Sequence, residues 1–116
     1  MKPNLVKDKS YHFAISIFPV YQELKGKREY TIANQLWRSA TSVGANIEEA
    51  VAAFSRTDFT YRLVISLKEA RETRYWLRLL RDVRLIENVD TQLLEIESII
   101  NLLTRIIKTL TVKSRI

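Results

Sequence analysis

Few side chains in this sequence could do chemistry, and their spacing limits what they could do. Glu48 and Glu49 are adjacent, so a helix would splay them by about 100° rather than pair them. Glu69 and Glu72 stand at i and i+3 and would share a helix face, whereas Glu95 and Glu97 would not. There is no cysteine and a single histidine, His12, so no thiol nucleophile, disulfide or thiolate metal site can be built. A di-iron site in a helical bundle needs Glu-x-x-His pairs, and the sequence contains none. Nor does it carry a phosphate-binding glycine loop or a nucleotide-binding signature. The expectation is that no residue is catalytic and that no metal or cofactor is bound. The carboxylates are then expected to pair with the many arginines, Lys68 with Glu72 being one i,i+4 candidate.

The arginines are more informative. Arg71, Arg74, Arg78 and Arg81 would fall within about a third of a helix circumference, beside Tyr75 and Trp76. Guanidinium groups next to aromatic rings can grip phosphates and stack on unpaired bases. The ordinary alternative is a solvated helix face or salt bridges to Glu69 and Glu72. Together with Arg38 and Arg56, these four are the candidate phosphate contacts. Nineteen basic against thirteen acidic residues leave a net charge of +6, which favours polyanionic partners, RNA, DNA or an acidic protein.

These side chains must be positioned by helices. Of 116 residues 47% are hydrophobic, and only two glycines and two prolines interrupt them, so a disordered chain is excluded. The length fits one domain spanning 1–116, and helical periodicity places four helices at about 5–24, 31–54, 56–85 and 91–110. The first is expected to bury Phe13, Ile17, Val20 and Leu24, with Val6 and Ala14 extending the stripe, Pro19 expected to kink or divide it and Gly26 expected to close it in a left-handed conformation. Thr31 is the expected N-cap of the second. Its face Ile32, Leu36, Ser39, Val43, Asn46 or Ile47, and Ala50 is thinned by alanines and Gly44, which invites close approach of another helix. Asn46 and Glu49 are expected to be tied to an arginine or to the start of the third helix.

Ser55 and Asp58 form a capping-box pair at that start. The first half of the third helix, Phe59 to Leu67, is apolar nearly all round, as at a subunit contact. Asn88 or Asp90 can cap the fourth helix, which carries Leu93, Ile96, Ile100, Leu103, Ile107 and Leu110 in register; the tail from Thr111 is expected to fray. Short connections imply an all-α, antiparallel up-down-up-down four-helix bundle. No apolar run is long enough to span a bilayer, so a cytoplasmic location without membrane contact is expected.

Three ordered motifs carry a family resemblance: QLWRSATSVGANIEEA, SRTDF and SLKEARETRYWLRLL. The matching positions are Gln35, Arg38 and Ser39, then Ser42 through Gly44 to Asn46, Glu49, Ser55, Asp58, Phe59, and Glu69, Glu72 and Trp76 within the last motif. Over about residues 6–110 the chain resembles the four-helix proteins named for 23S rRNA intervening sequences. Many relatives have proline where this chain has Gly44, and Glu-Gly where it has Glu49-Ala50. The resemblance implies a ring-shaped homo-oligomer, typically a pentamer. It also implies kinship with the accessory proteins of diversity-generating retroelements, and no settled enzymatic activity. The expected function is a non-enzymatic scaffold or RNA-binding accessory protein, in which a ring would multiply the +6 of each subunit. The alternative is a protein-interaction module whose basic rim binds an acidic partner without nucleic acid.

Overall fold

In each of the four helices a series of buried positions advances by alternating steps of three and four residues, with Ser39, Leu67 and Ile100 buried beside it. In the first they are Val6, Ser10, Phe13, Ile17, Val20 and Leu24; in the second, Ala33, Leu36, Ala40, Val43, Ile47 and Ala50. The third buries Leu63, Ser66, Ala70, Thr73, Leu77 and Leu80, and the fourth Ile96, Ile99, Leu103, Ile106 and Leu110. That 3–4 alternation averages 3.5 residues and keeps one seam of each helix on a common axis. A computed structural model describes the backbone of residues 3–114 and the side chains of 4–112. It places the helices at α1 (Pro3–Gly26), α2 (Tyr30–Val51), α3 (Arg56–Asp82) and α4 (Asp90–Ser114), with no strand among the described residues. Each helix packs against its neighbour in sequence, and α1 also packs against α4, so the four seams close on one core. Among the described residues no helix is long and apolar enough to cross a membrane.

Several helix ends differ from the sequence expectation, each for a local reason. α1 runs unbroken through Pro19, which is exposed, as is Ile15, whose carbonyl loses its helical donor. On that side water can satisfy the orphaned carbonyl. Gly26 keeps a helical conformation; the left-handed residue is Arg28, with φ 62°, and the Glu29 N–H reaches back to the Leu24 carbonyl at 2.9 Å. The same device closes α3: Arg84 has φ 60°, and the Leu85 N–H donates to the Leu80 carbonyl at 3.0 Å. α3 therefore stops at Asp82 rather than Leu85.

α2 begins after Glu29, not after a Thr31 cap, and no side chain caps it. It ends at Val51, short of the expected Phe54. α3 starts as expected: the Ser55 hydroxyl accepts the Asp58 N–H at 3.0 Å from an extended backbone. At the last turn the Asn88 side-chain oxygen accepts the Asp90 N–H at 3.0 Å, and α4 is helical through Ser114; the end of the tail expected to fray, residues 115–116, lies outside the described residues.

Gly44 marks a close approach. A Cβ there would lie 3.2 Å from the Ser10 hydroxyl of α1, and Ser10 is itself fully buried with that hydroxyl donating to the Lys7 carbonyl at 2.9 Å. Gly44 therefore lets α1 and α2 meet at the level where alanine would crowd them. Gly44→Ala gains helix propensity but should lower stability by about 1 kcal/mol net through overpacking. The double substitution Ser10→Ala with Gly44→Ala should recover that loss, because it removes the crowding atom. Urea denaturation of both variants checks the pair, and additive losses would show that the two positions do not meet.

Candidate nucleic-acid interface

The contact that orients α3 is made of small and hydroxyl side chains. The Ser66 hydroxyl donates to the Val43 carbonyl of α2 at 2.7 Å, and the Thr73 hydroxyl lies 2.9 Å from that of Ser39; all three hydroxyl residues are fully buried. Every buried side-chain polar atom among the described residues has a partner, so this seam is sealed without a stranded donor or acceptor. Ala33, Ala40 and Ala70 add little bulk beside it. The approach brings Arg38, on the rim of α2, over α3. Its Nη1 reaches Glu69 at 2.9 Å and its Nη2 binds Glu72, whose other donor is the Trp76 indole N–H at 3.0 Å.

Glu69 and Glu72 thus share one side of α3, as their spacing required, and their partner is Arg38. Lys68 makes no pair with Glu72 and points to solvent. The hydrogen bond to Glu72, helped by the charges of both carboxylates, holds the Arg38 guanidinium above its ordinary value despite the opposing effect of burial. Burial alone would push the Glu72 carboxyl up. The hydrogen bonds from Trp76 and Arg38, with the Arg38 charge, outweigh it together and leave Glu72 below its ordinary value.

The four candidate arginines of α3 divide. Arg74 turns toward α4 and pairs with Glu97 at 3.0 Å. Arg81 pairs with its neighbour Asp82 at 2.8 Å, which raises the guanidinium and lowers the carboxyl. Arg71 and Arg78 face solvent, and their guanidinium groups make no hydrogen bond or ion pair with the described residues. Tyr75, 55% exposed, stands between them on the same outer stripe, its ring edge against Trp76. Lys68 extends the stripe by one turn. Arg56 is exposed and unpaired but lies at the start of α3, about 22 Å of helix rise before Arg71. The structure therefore gathers Lys68, Arg71, Tyr75 and Arg78, and engages Arg38, Arg74 and Arg81 elsewhere. The pattern of arginines alone misses Lys68, although its spacing of three residues from Arg71 is visible in the sequence.

The remaining motif residues are structural. Asn46 does not reach an arginine or the α3 cap; its side-chain amide donates to the Ser42 carbonyl within α2 at 2.9 Å. Ser42 in turn donates to the Arg38 carbonyl at 2.7 Å, and Gln35 lies 3.5 Å from Arg38 Nε. Glu49 is exposed and its side chain makes no hydrogen bond or ion pair among the described residues, and the same holds for Glu48. Phe59 packs against the core, and His12 is exposed. Among the described residues no group of three or more His, Asp or Glu side chains could hold a metal ion.

An all-α chain of four helices, sealed by buried hydroxyls and carrying a basic outer stripe, defines the class. The chain belongs to the family of 23S rRNA-intervening sequence proteins, whose model matches residues 2–111. It is similar to a crystal structure from Bacteroides thetaiotaomicron described as a protein with unknown function from the S23 ribosomal protein family. The two are 45% identical with a TM-score of 0.87, over 93% of this chain and 99% of that one. No curated protein matches.

Two consequences of the Arg38 bridge can be measured. Arg38→Ala should destabilise by about 1 kcal/mol, since it leaves two carboxylates on adjacent turns without their shared cation. Glu72 titrates below its ordinary value of 4.5 in the folded state, so its contribution is present above that value and is lost as pH falls through the lowered one. In Glu72→Gln that part of the acid-side loss of stability should disappear, as read from denaturant midpoints across the acid range.

Proposed function

We propose that this protein is a non-enzymatic, self-associating helical protein that binds nucleic acid, RNA foremost, through the outer face of α3. The observation that carries the reading is the stripe Lys68, Arg71, Tyr75 and Arg78, in which three cations are left unpaired around an exposed aromatic ring. Unpaired guanidinium groups keep their donors free for phosphate oxygens, and a half-exposed tyrosine offers a face on which a base can stack. Cations already held by carboxylates, such as Arg38, would have to give up those bonds first. In this reading the helices alternate in direction, supported by their short connections and by the meeting of Ser10 with Gly44 and of Tyr21 with Trp37. Copies assemble into a ring, with five the expected number from the family resemblance, so that each stripe is repeated around it. Kinship with retroelement accessory proteins belongs to the same reading, and would be tested by whether the gene neighbours a reverse transcriptase.

A second reading, a protein-interaction module for an acidic partner, is favoured by the exposed Tyr61 and Val64 on the same helix as Lys68. One experiment separates the two. In a gel shift with structured rRNA and with single-stranded RNA, affinity should fall steeply with salt. The double variant Arg71→Ala with Arg78→Ala should weaken binding and reduce the salt slope by about 2, one for each phosphate that is no longer held. Arg74→Ala should change it little. Absence of any shift at low salt, in protein free of copurified nucleic acid, would favour the acidic-partner module.

A further inference from the structure

Tyr75 stands among the cations of the α3 stripe without a part in the core. Its side chain is 55% exposed, and its hydroxyl makes no hydrogen bond with the described residues. The ring is nevertheless braced. It meets the Trp76 ring at 5.1 Å between centroids and an angle of 73°, and the Trp76 indole N–H is tied to Glu72, which Arg38 holds in turn. Trp76 is thus a fixed wall on one side of Tyr75, and more than half of the tyrosine is left to solvent.

Tyr75 lies one turn after Arg71 and one turn before Arg78, so the two guanidinium groups spring from points about 10 Å apart along the helix with the ring between them. Lys68 precedes Arg71 by about 4.5 Å of rise. The side chains of all three make no hydrogen bond or ion pair among the described residues. The acidic neighbours on α3 are engaged: Glu69 and Glu72 by Arg38, and Asp82 by Arg81, although Asp82 also feels the charge of Arg78. Cation, ring and cation along one line match the order phosphate, base and phosphate along one strand.

A duplex cannot use that order. Its bases are covered on both faces by their neighbours, and the major groove of A-form RNA is too deep and narrow for side chains to read. The wider major groove of duplex DNA admits a helix but presents base edges, not faces. The cations could touch duplex phosphates, yet Tyr75 would find no base to stack on. An unpaired nucleotide offers its face, and stacking on an aromatic ring tolerates any base. Building on the nucleic-acid binding proposed above, we infer that the stripe is a site for unpaired RNA, in single strands or loops, and that Tyr75 selects unpaired from paired strand by stacking on a base between two held phosphates.

The test compares three labelled probes of equal length by fluorescence anisotropy: a single-stranded RNA, the same strand in a duplex, and a strand in which every nucleotide is abasic but the phosphates remain. The wild-type chain should bind the first tighter than the other two. Tyr75→Ala should weaken binding of the intact single strand by about 5- to 150-fold, the range that loss of one stacked base gives. It should leave the other two probes and the salt slope unchanged, since no phosphate contact is lost. Tyr75→Phe should bind as the wild type does, because the ring rather than the hydroxyl makes the contact. The position is exposed, and circular dichroism reports retained helix in both variants. Absence of wild-type binding to any probe would overturn the nucleic-acid reading and this inference together. Equal affinity for the three probes, or a single-strand affinity that Tyr75→Ala leaves intact, would overturn this inference alone when Arg71→Ala with Arg78→Ala still weakens binding. A loss in Tyr75→Phe as large as in Tyr75→Ala would assign the contact to the hydroxyl and refute stacking.

Discussion

Everything in this structure depends on how closely α2 and α3 approach. A seam of leucines would hold two helices apart by the thickness of their side chains. Here Ala40, Ser39, Ser66, Ala70 and Thr73 occupy buried positions, and the helices come near enough for Ser66 to bond the backbone carbonyl of Val43. A hydroxyl in such a seam is tolerable only if it is bonded, because an unsatisfied buried group costs about 1–3 kcal/mol. Each hydroxyl here is bonded, so the polar seam contributes alignment without stranding a donor. A relative sliding of one turn would move Ser66 away from Val43 and Thr73 away from Ser39 together.

That alignment carries outward to the charges. With the seam in register, Arg38 on α2 lies over the turn of α3 that carries Glu69 and Glu72, and Trp76 completes the set from the next turn. The bridge occupies one flank of α3, and the pair of Arg74 with Glu97 occupies the other. What remains between them is the outer stripe with Lys68, Arg71, Tyr75 and Arg78. A basic helix of random composition would leave its cations partly neutralised by neighbours. Here Glu69, Glu72 and Asp82 are engaged by Arg38 and Arg81, and only the charge of Arg78 is felt at Asp82, without an ion pair, so the outer stripe keeps its donors.

Much of this was legible beforehand. Four helices followed from periodicity, since apolar residues at three- and four-residue steps specify a single face whatever they pack against. The Ser55 cap was readable because its partner, the N–H of Asp58, is local. The close approach at Gly44 was readable as a need, since a glycine inside a helix requires compensation, though not as a contact with Ser10. Less visible were the helix ends at Arg28 and Arg84. Glycine is the usual left-handed residue, and an arginine in that conformation leaves no compositional mark. The partners of Arg38, Asn46 and Glu72 were also hidden, because a long side chain has several carboxylates or carbonyls within reach in sequence. Only the packing chooses among them.

By itself the sequence determined the all-α class, the buried face of each helix, the absence of thiol chemistry and the basic balance of the chain. Those properties depend on composition and on contacts within a few residues. The tertiary structure decided which cations are neutralised, which carboxylates bridge helices, and which apolar residues stay in water. Tyr61 and Val64 have the same chemical character as Leu63 and Leu67, and a residue's own type cannot say whether another helix covers it. Coverage is a property of how the helices surround the core. Arg71 and Arg78 make no hydrogen bond or ion pair, and Arg38 and Arg74 do, for the same reason.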